Sequence, residues 1–306
     1  MRGFLGLTKR NLLLFFKDKQ SILFSLLTSM IVLALYLLFL KDTFVSAMDS
    51  AINQFPGLNS LIDKNDKDMF ANLILLTGIL GSAMITVPYN CLITLAKDRE
   101  NKVDYDILAT PLKRGQIILS YFVSAAFSSV ILTGIILAVG LTTICMHGDV
   151  YLGTIDILKA FGVVALGSIS ATSIFMIVVL FLKSVSASGA FFGLLSAVSG
   201  FIIGAYIPIS QFSEAIQTVC NIFPASQITI VLRNVLINGL LEHMNTTLDG
   251  VDQGMFVTSI KELFSFKARL FDGYFDMSQM LVYIVVSIVI CIVVQILVYS
   301  KTYKKA

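Results

Sequence analysis

The chain has 306 residues, of which 57% are hydrophobic and 13% charged, with mean hydropathy +0.87 and a net charge of +3. Soluble domains carry about 25% charged residues, so this composition cannot clothe a water-facing surface; it excludes a soluble enzyme or a nucleic-acid-binding domain. Four Cys and two His stand at no C-x-x-C or H-x-x-x-H spacing, which leaves no zinc, haem or redox motif and makes the cysteines small apolar fillers.

Residues 1–20 set Phe4, Leu5, Leu7 and Leu12 to Phe16 among Arg2, Lys9, Arg10, Lys17 and Lys19. A basic amphipathic helix lying in the headgroup layer accommodates both sets; a disordered positive tail is the alternative. Ser21–Leu40 is the first span, close to the roughly twenty residues that cross a hydrocarbon core, and its length suits a retained helix rather than a signal segment. An acidic external loop, 41–70, follows with the turn signal Pro56-Gly57. The second span is Ala71–Ala96.

Lys97 to Gly115 is a charged island carrying Lys97, Arg99, Lys102, Lys113 and Arg114 against Asp98, Glu100, Asp104 and Asp106. Its centre, Tyr105-Asp106-Ile107-Leu108, is an amphipathic turn. A plain connection between two membrane helices needs only a few polar residues, so the island reads as a small helix that a cytoplasmic motor grips. The third span is Gln116–Cys145, long enough to tilt or to break near Gly140. The fourth is Ile157–Leu182, after a short loop from His147, and the fifth is Ala187–Ile207, stopped by Pro208.

The fifth span repeats small residues at every fourth position, Gly189, Gly193 and Ala197 on one face and Ser196, Gly200 and Gly204 on another. That spacing lets helix backbones approach closely in lipid, within one subunit or across a dimer. Pro208 and Pro224 then bracket a segment too short to cross, with Ile209, Phe212, Ile216, Val219 and Phe223 at helical spacing. Non-helical backbone at membrane depth needs protein or water around it. The segment therefore reads as short helices dipping in and returning, with a surface helix as the alternative. Residues 242–279 read as a small external cap, and Met280–Tyr299 is the sixth span.

Lys and Arg concentrate in the N-terminus, the island, the Lys183 turn and the tail (Lys301, Lys304, Lys305), whereas acids concentrate on the other side. The positive-inside rule then places both termini in the cytoplasm. The six span cores carry no Asp, Glu, Lys, Arg or His, although a charge at the bilayer centre, costing at least about 2.5–3.5 kcal/mol, is what ion-coupled carriers and membrane enzymes ordinarily need. Nor does the chain contain G-x-x-x-x-G-K-[ST]. Any work must come from a separate nucleotide-burning subunit.

Three passages resemble the type-2 ABC exporter permeases. Lys9-Arg10-Asn11 with Phe16-Lys17-Asp18-Lys19 is similar to that family's interfacial connecting helix. Arg99-Glu100-Asn101-Lys102 ahead of Leu108-Ala109-Thr110-Pro111-Leu112 is similar to its coupling-helix passage, with Asn101 where the family often has Gly. Gly204-Ala205-Tyr206-Ile207-Pro208, then Phe223-Pro224, Arg233 and Gly239, looks like its fifth span and re-entrant helices.

The resemblance implies an all-α, six-span permease joined to two cytoplasmic ATPase subunits, which hold ATP and Mg, and to a second permease, identical or paralogous. It makes Glu100, Asp104, Tyr105, Asp106, Leu108 and Pro111 contacts to the ATPase, with Tyr105 and Leu108 entering an apolar groove. Pro208, Phe223 and Pro224 form the re-entrant turn. Phe24, Thr28, Thr86, Asn90, Phe192 and Ser196 line a cargo path between subunits, next to the Gly189, Gly193 and Gly200 faces. The large acidic loop and external cap favour a drug-like, peptide or lipidic cargo. A subunit of the same fold that only strips a toxic peptide from the membrane is the second reading.

Overall fold

The computed structural model describes residues 2–53, 62–146, 148, 151–248 and 254–302. Pro56-Gly57, His147, Lys304 and Lys305 lie outside them. Helix α1 (Arg2–Lys17) ends at Asp18, which caps α2 (Lys19–Leu35) by accepting from the Ser21 amide. A π-helical turn, Tyr36–Leu40, then joins α2 without interruption to α3 (Lys41–Asn53).

The expected external loop is therefore largely helical. From Lys19 to Leu40, a rise of ~1.5 Å per residue already covers about 33 Å, so α3 stands beyond a hydrocarbon core of about 30 Å. It stays helical there because Phe44 and Met48, one turn apart, are buried. Its charges also pair with the next helix, Lys67 with Asp49 at 2.7 Å and Lys41 with Asp68 at 3.3 Å.

Helix α4 (Lys64–Cys91) is the most enclosed span; it contains Pro88 and breaks at Leu92 before α5 (Ile93–Glu100). Proline has no N–H and crowds the carbonyl one turn back, which accounts for an offset at this point. Helix α6 (Val103–Ala109) follows, then α7 (Arg114–Cys145), α8 (Thr154–Val179) and α9 (Val185–Ile202). Helix α7 does not break at Gly140: a Cβ there would lie 2.3 Å from Leu76, so the glycine admits a neighbour rather than a kink.

The fifth span ends earlier than Pro208. Gly204 takes φ +67°, and the amide of Ala205 returns to the Gly200 carbonyl at 2.8 Å. Glycine in the left-handed conformation is a common helix terminator. A 3-10 turn, Ile209–Gln211, leads to α10 (Glu214–Ile222), and α11 (Pro224–Thr247) departs from α10 at 94°. The second arm is thus not short. Helix α11 has 24 residues, most of them buried, and reaches into the stretch expected to be external cap. The remainder of that cap is α12 (Met255–Leu263) and a hairpin of β1 (Ala268–Leu270) with β2 (Gly273–Phe275); α13 (Met277–Thr302) closes the chain.

Among the described residues six helices are long and apolar enough to span a membrane, or seven if the bent pair α10 and α11 counts as one span. Around α11, one apolar cluster gathers Phe70, Leu80, Ile228, Leu236, Phe256 and Phe264; a second, toward the opposite end, gathers Leu95, Ile107, Ile118, Phe175 and Tyr299. Arg233, on α11, qualifies the picture of a charge-free interior. It is 1% exposed, and it donates to the carbonyls of Ile203, Gly204 and Phe264 at 2.8–3.2 Å. The C-terminal ends of α9 and α12 thus take both terminal nitrogens of its guanidinium, in keeping with the preference of cations for helix C-termini.

Candidate coupling site

The island folds as a stem and a cap. The stem is the last turn of α5, where Lys97, Asp98, Arg99 and Glu100 are consecutive. Successive helical residues point about 100° apart, so four in a row face four directions, and each holds a different element. Lys97 donates to Asp18 at the junction of α1 and α2. Asp98, 5% exposed, accepts two hydrogen bonds from Arg10 of α1 at 2.7 and 2.8 Å and one from the Tyr121 hydroxyl of α7. Arg99 donates to the carbonyls of Val179, Leu180 and Leu182 at the end of α8, at 2.9–3.0 Å. Glu100 accepts from the Val185 amide at the start of α9, at 2.8 Å.

The electrostatics fit the geometry. The two-pronged Arg10–Asp98 pair is the strong, directional kind, and its hydrogen bonding raises the Arg10 pKa against the opposing effect of burial. Burial pushes the Asp18 carboxyl up, but hydrogen bonds from Lys97 and from the Ser21 amide and hydroxyl outweigh it and bring the pKa down to about 2. At the other end of α1, the missing Cβ of Gly3 leaves room for Leu112, whose side chain would lie 3.0 Å from it. The amphipathic N-terminal segment is accordingly docked along the island.

The cap is α6. Its entry uses Lys102, at φ +60°, as the left-handed residue; Asn101, the position compared with glycine in the family, has φ −85°. Burial raises the Asp104 pKa, against weaker lowering by backbone hydrogen bonds and Arg99. Ile107 is buried under the cap, and Leu108 packs half-buried against the same cluster. Tyr105, 63% exposed, points outward with Asp106 and Pro111. The sequence reading grouped Glu100, Tyr105 and Leu108 on one surface. Glu100, itself exposed, bonds to the first turn of α9, and Leu108 packs half-buried on the chain's own core, while Tyr105, Asp106 and Pro111 face outward with Asp104 half-buried beside them.

The sequence reading did not identify Arg10, Asp18, Lys97, Asp98, Arg99 or Tyr121 as site residues. Four consecutive charges at a helix end were the available signal, since they cannot share one solvated face.

The candidate cargo and dimer residues separate into groups. Thr28 of α2 and Ser196 of α9 meet through their hydroxyls at 2.9 Å. Thr86 and Asn90 are buried on α4, and Phe192 stacks on Tyr89 at 6.1 Å, beside the Tyr89 hydroxyl that reaches Ser188. Gly200 lies against Tyr206, whose ring would sit 2.3 Å from an added Cβ. Gly189 and Gly193, by contrast, have open space above them, and Phe24 is exposed on α2. Of the two small-residue faces, the one with Ser196, Gly200 and Gly204 is used within the chain. The one with Gly189, Gly193 and Ala197 faces outward. Pro208 precedes the 3-10 turn, while Phe223 and Pro224 form the elbow between α10 and α11, with the Phe223 ring 5.9 Å from Phe175.

No curated protein and no solved structure matches this chain. The family described as ABC-2 family transporter protein matches residues 46–300, which begin within α3, after α1 and α2, and take in the island and the spans from α4 to α13. The chain belongs to the ABC-2 transporter family, as a multi-pass membrane subunit of the kind that works with an ABC ATPase.

Proposed function

We propose that this chain is the permease subunit of an ATP-driven exporter, and that α6 is its coupling helix. The observation that carries the reading is the stem of α5. A displacement of α6 reaches Lys97, Asp98, Arg99 and Glu100 together, and through them α1, α2, α7, α8 and α9. Such an arrangement suits a lever, because one push at the cap moves several spans in concert.

In this reading two copies of a cytoplasmic ATPase bind ATP and Mg, and each receives one α6. Tyr105 enters an apolar groove, with Asp104, Asp106 and Pro111 around it. Helix α1 lies at the cytoplasmic interface, both termini are cytoplasmic, and the membrane is the plasma membrane, in a bacterium the cytoplasmic one. Helices α10 and α11 form the re-entrant pair. A second permease, identical or paralogous, meets this one across the open Gly189–Gly193 face. The drug-like, peptide or lipidic cargo then passes between them, near Phe24.

The test is co-purification with the ATPase. Loss of a buried aromatic anchor commonly costs about 2 kcal/mol or more, so Tyr105→Asp weakens ATPase binding by about thirtyfold while membrane insertion and thermal stability stay unchanged. Undiminished co-purification contradicts the assignment of α6. Glu100→Ala is the counterpart: it keeps the ATPase bound but lowers ATP-driven transport, because it severs the stem from α9. Loss of ATPase binding by Glu100→Ala would return Glu100 to the contact surface.

A further inference from the structure

The connection between β1 and β2 is Phe271-Asp272, since Leu270 pairs with Gly273 across the hairpin. Phe271 has φ +52°. A positive φ at the first central position of a two-residue hairpin normally belongs to glycine, so a bulky residue there is strained. Nor does its ring pack within the described chain, being 71% exposed. Beside it Tyr274 is exposed, with the Arg269 guanidinium 5.7 Å from its ring centre. Helix α10 continues this surface by turning Ile216 and Val219 outward.

The platform is firmly built. Thr218 accepts from the Phe271 amide, Asn221 donates to the Arg269 carbonyl, Arg269 pairs with Glu214 at 2.8 Å, and the Tyr283 hydroxyl of α13 donates to the Ile222 carbonyl. Its outward aromatic face is therefore held in place.

Position and chemistry identify what covers it. Helix α13 shows an apolar stripe of Val282, Val286, Val289, Val293 and Leu297 that the rest of the described chain leaves exposed. Counting up from Lys301, about twenty residues at ~1.5 Å each cross a core of about 30 Å and end near Leu281. The hairpin precedes that point, just beyond the hydrocarbon, at the end of α13 opposite to Ser300, which accepts from Arg114 beside the island. An exposed Tyr with a cation over its ring, next to an exposed Phe, suits the aromatic layer found at membrane–water interfaces.

We propose that the hairpin tip and the outward face of α10 seat in the lipid headgroup layer of the leaflet opposite to α6, as an aromatic anchor. Its ligand is the lipid surface itself. The anchor fixes the entry to α13 and the elbow into α11 against the bilayer. It rests on the membrane placement of α13 and not on the coupling role of α6, so the two stand or fall separately.

The chain has no Trp, so Phe271→Trp installs a single emitter in the full-length protein. It is to be reconstituted in nanodiscs of phosphatidylcholine brominated either near the headgroup or near the chain ends. An interfacial ring gives blue-shifted emission that headgroup-proximal bromine quenches about twofold or more, with little quenching by aqueous iodide. Emission quenched by iodide and indifferent to bromine overturns the proposal. Emission indifferent to both shows a protein partner on this face and overturns it equally. Tyr274→Trp, read in the same way, carries the test if Phe271→Trp does not accumulate.

Discussion

Asp98 is nearly sealed from water, while its partner Arg10 has a side chain 34% exposed, so the two ends of this pair respond differently to mutation. Removing Arg10 leaves a buried carboxylate with only the Tyr121 hydroxyl, whereas removing the carboxylate frees an arginine that can turn to solvent. Leaving a buried charged group without its partner costs about 2 kcal/mol or more. Arg10→Ala is therefore expected to lower the thermal midpoint more than Asp98→Asn does. Equal losses in a melt of the solubilised protein would argue against that asymmetry.

Glycines give a second contrast at this scale. A Cβ on Gly239 would fall 2.0 Å from the Tyr151 carbonyl oxygen, where backbone must move; one on Gly193 meets nothing within 4 Å. Gly239→Ala should destabilise the isolated chain, by about 1–3 kcal/mol as overpacked sites do. Gly193→Leu should leave that stability intact and weaken permease pairing, as read by cross-linking in membranes. The first effect depends on packing inside one chain, the second on the proposed second copy.

Among the elements, α1 and the stem of α5 show how pH enters. The Asp18 pKa is held at about 2, against 3.8 for the free group, so its contribution is fully present above the unfolded value and is lost as pH falls through roughly 4 toward 2. The stability difference between the native chain and Asp18→Asn should accordingly be constant near neutrality and vanish at about pH 2. A difference that vanished near pH 6 would mean that Asp18 is not the group responsible.

The elements also show what a sequence discloses. The six spans, the amphipathic α1 and the small helix of the island follow from hydropathy and charge, because the bilayer imposes a length of apolar chain that tertiary structure does not alter. Helix ends were less legible. Pro208 was the visible stop for the fifth span, yet Gly204 ends it earlier, and nothing local distinguishes a terminating glycine from the packing glycines beside it. Helix α3 was hidden because its helicity depends on Phe44, Met48 and two ion pairs to α4, all of them tertiary. Of the stem residues, Glu100 was read as a contact to the ATPase, and Lys97, Asp98 and Arg99 only as part of the island's charge. Their partners lie 23 positions away for Tyr121 and 79 to 88 for the others, beyond the reach of any local pattern.

At the scale of the whole molecule, the spans meet at opposite ends in two apolar clusters, with Arg233 fixing the ends of α9 and α12 on one side and the α5 stem holding α1, α8 and α9 on the other. Helix α9 belongs to both arrangements, tied at its start to Glu100 and at its end to Arg233. It is thus the span through which movement of the island would reach the far side. The most direct measurement is flux in inside-out vesicles holding this chain and its ATPase, with ATP or an imposed ion gradient as the only energy source. Flux that requires ATP, ignores the gradient and disappears with Tyr105→Asp is the predicted result. Flux sustained by the gradient alone, or unchanged in that variant, would contradict the account.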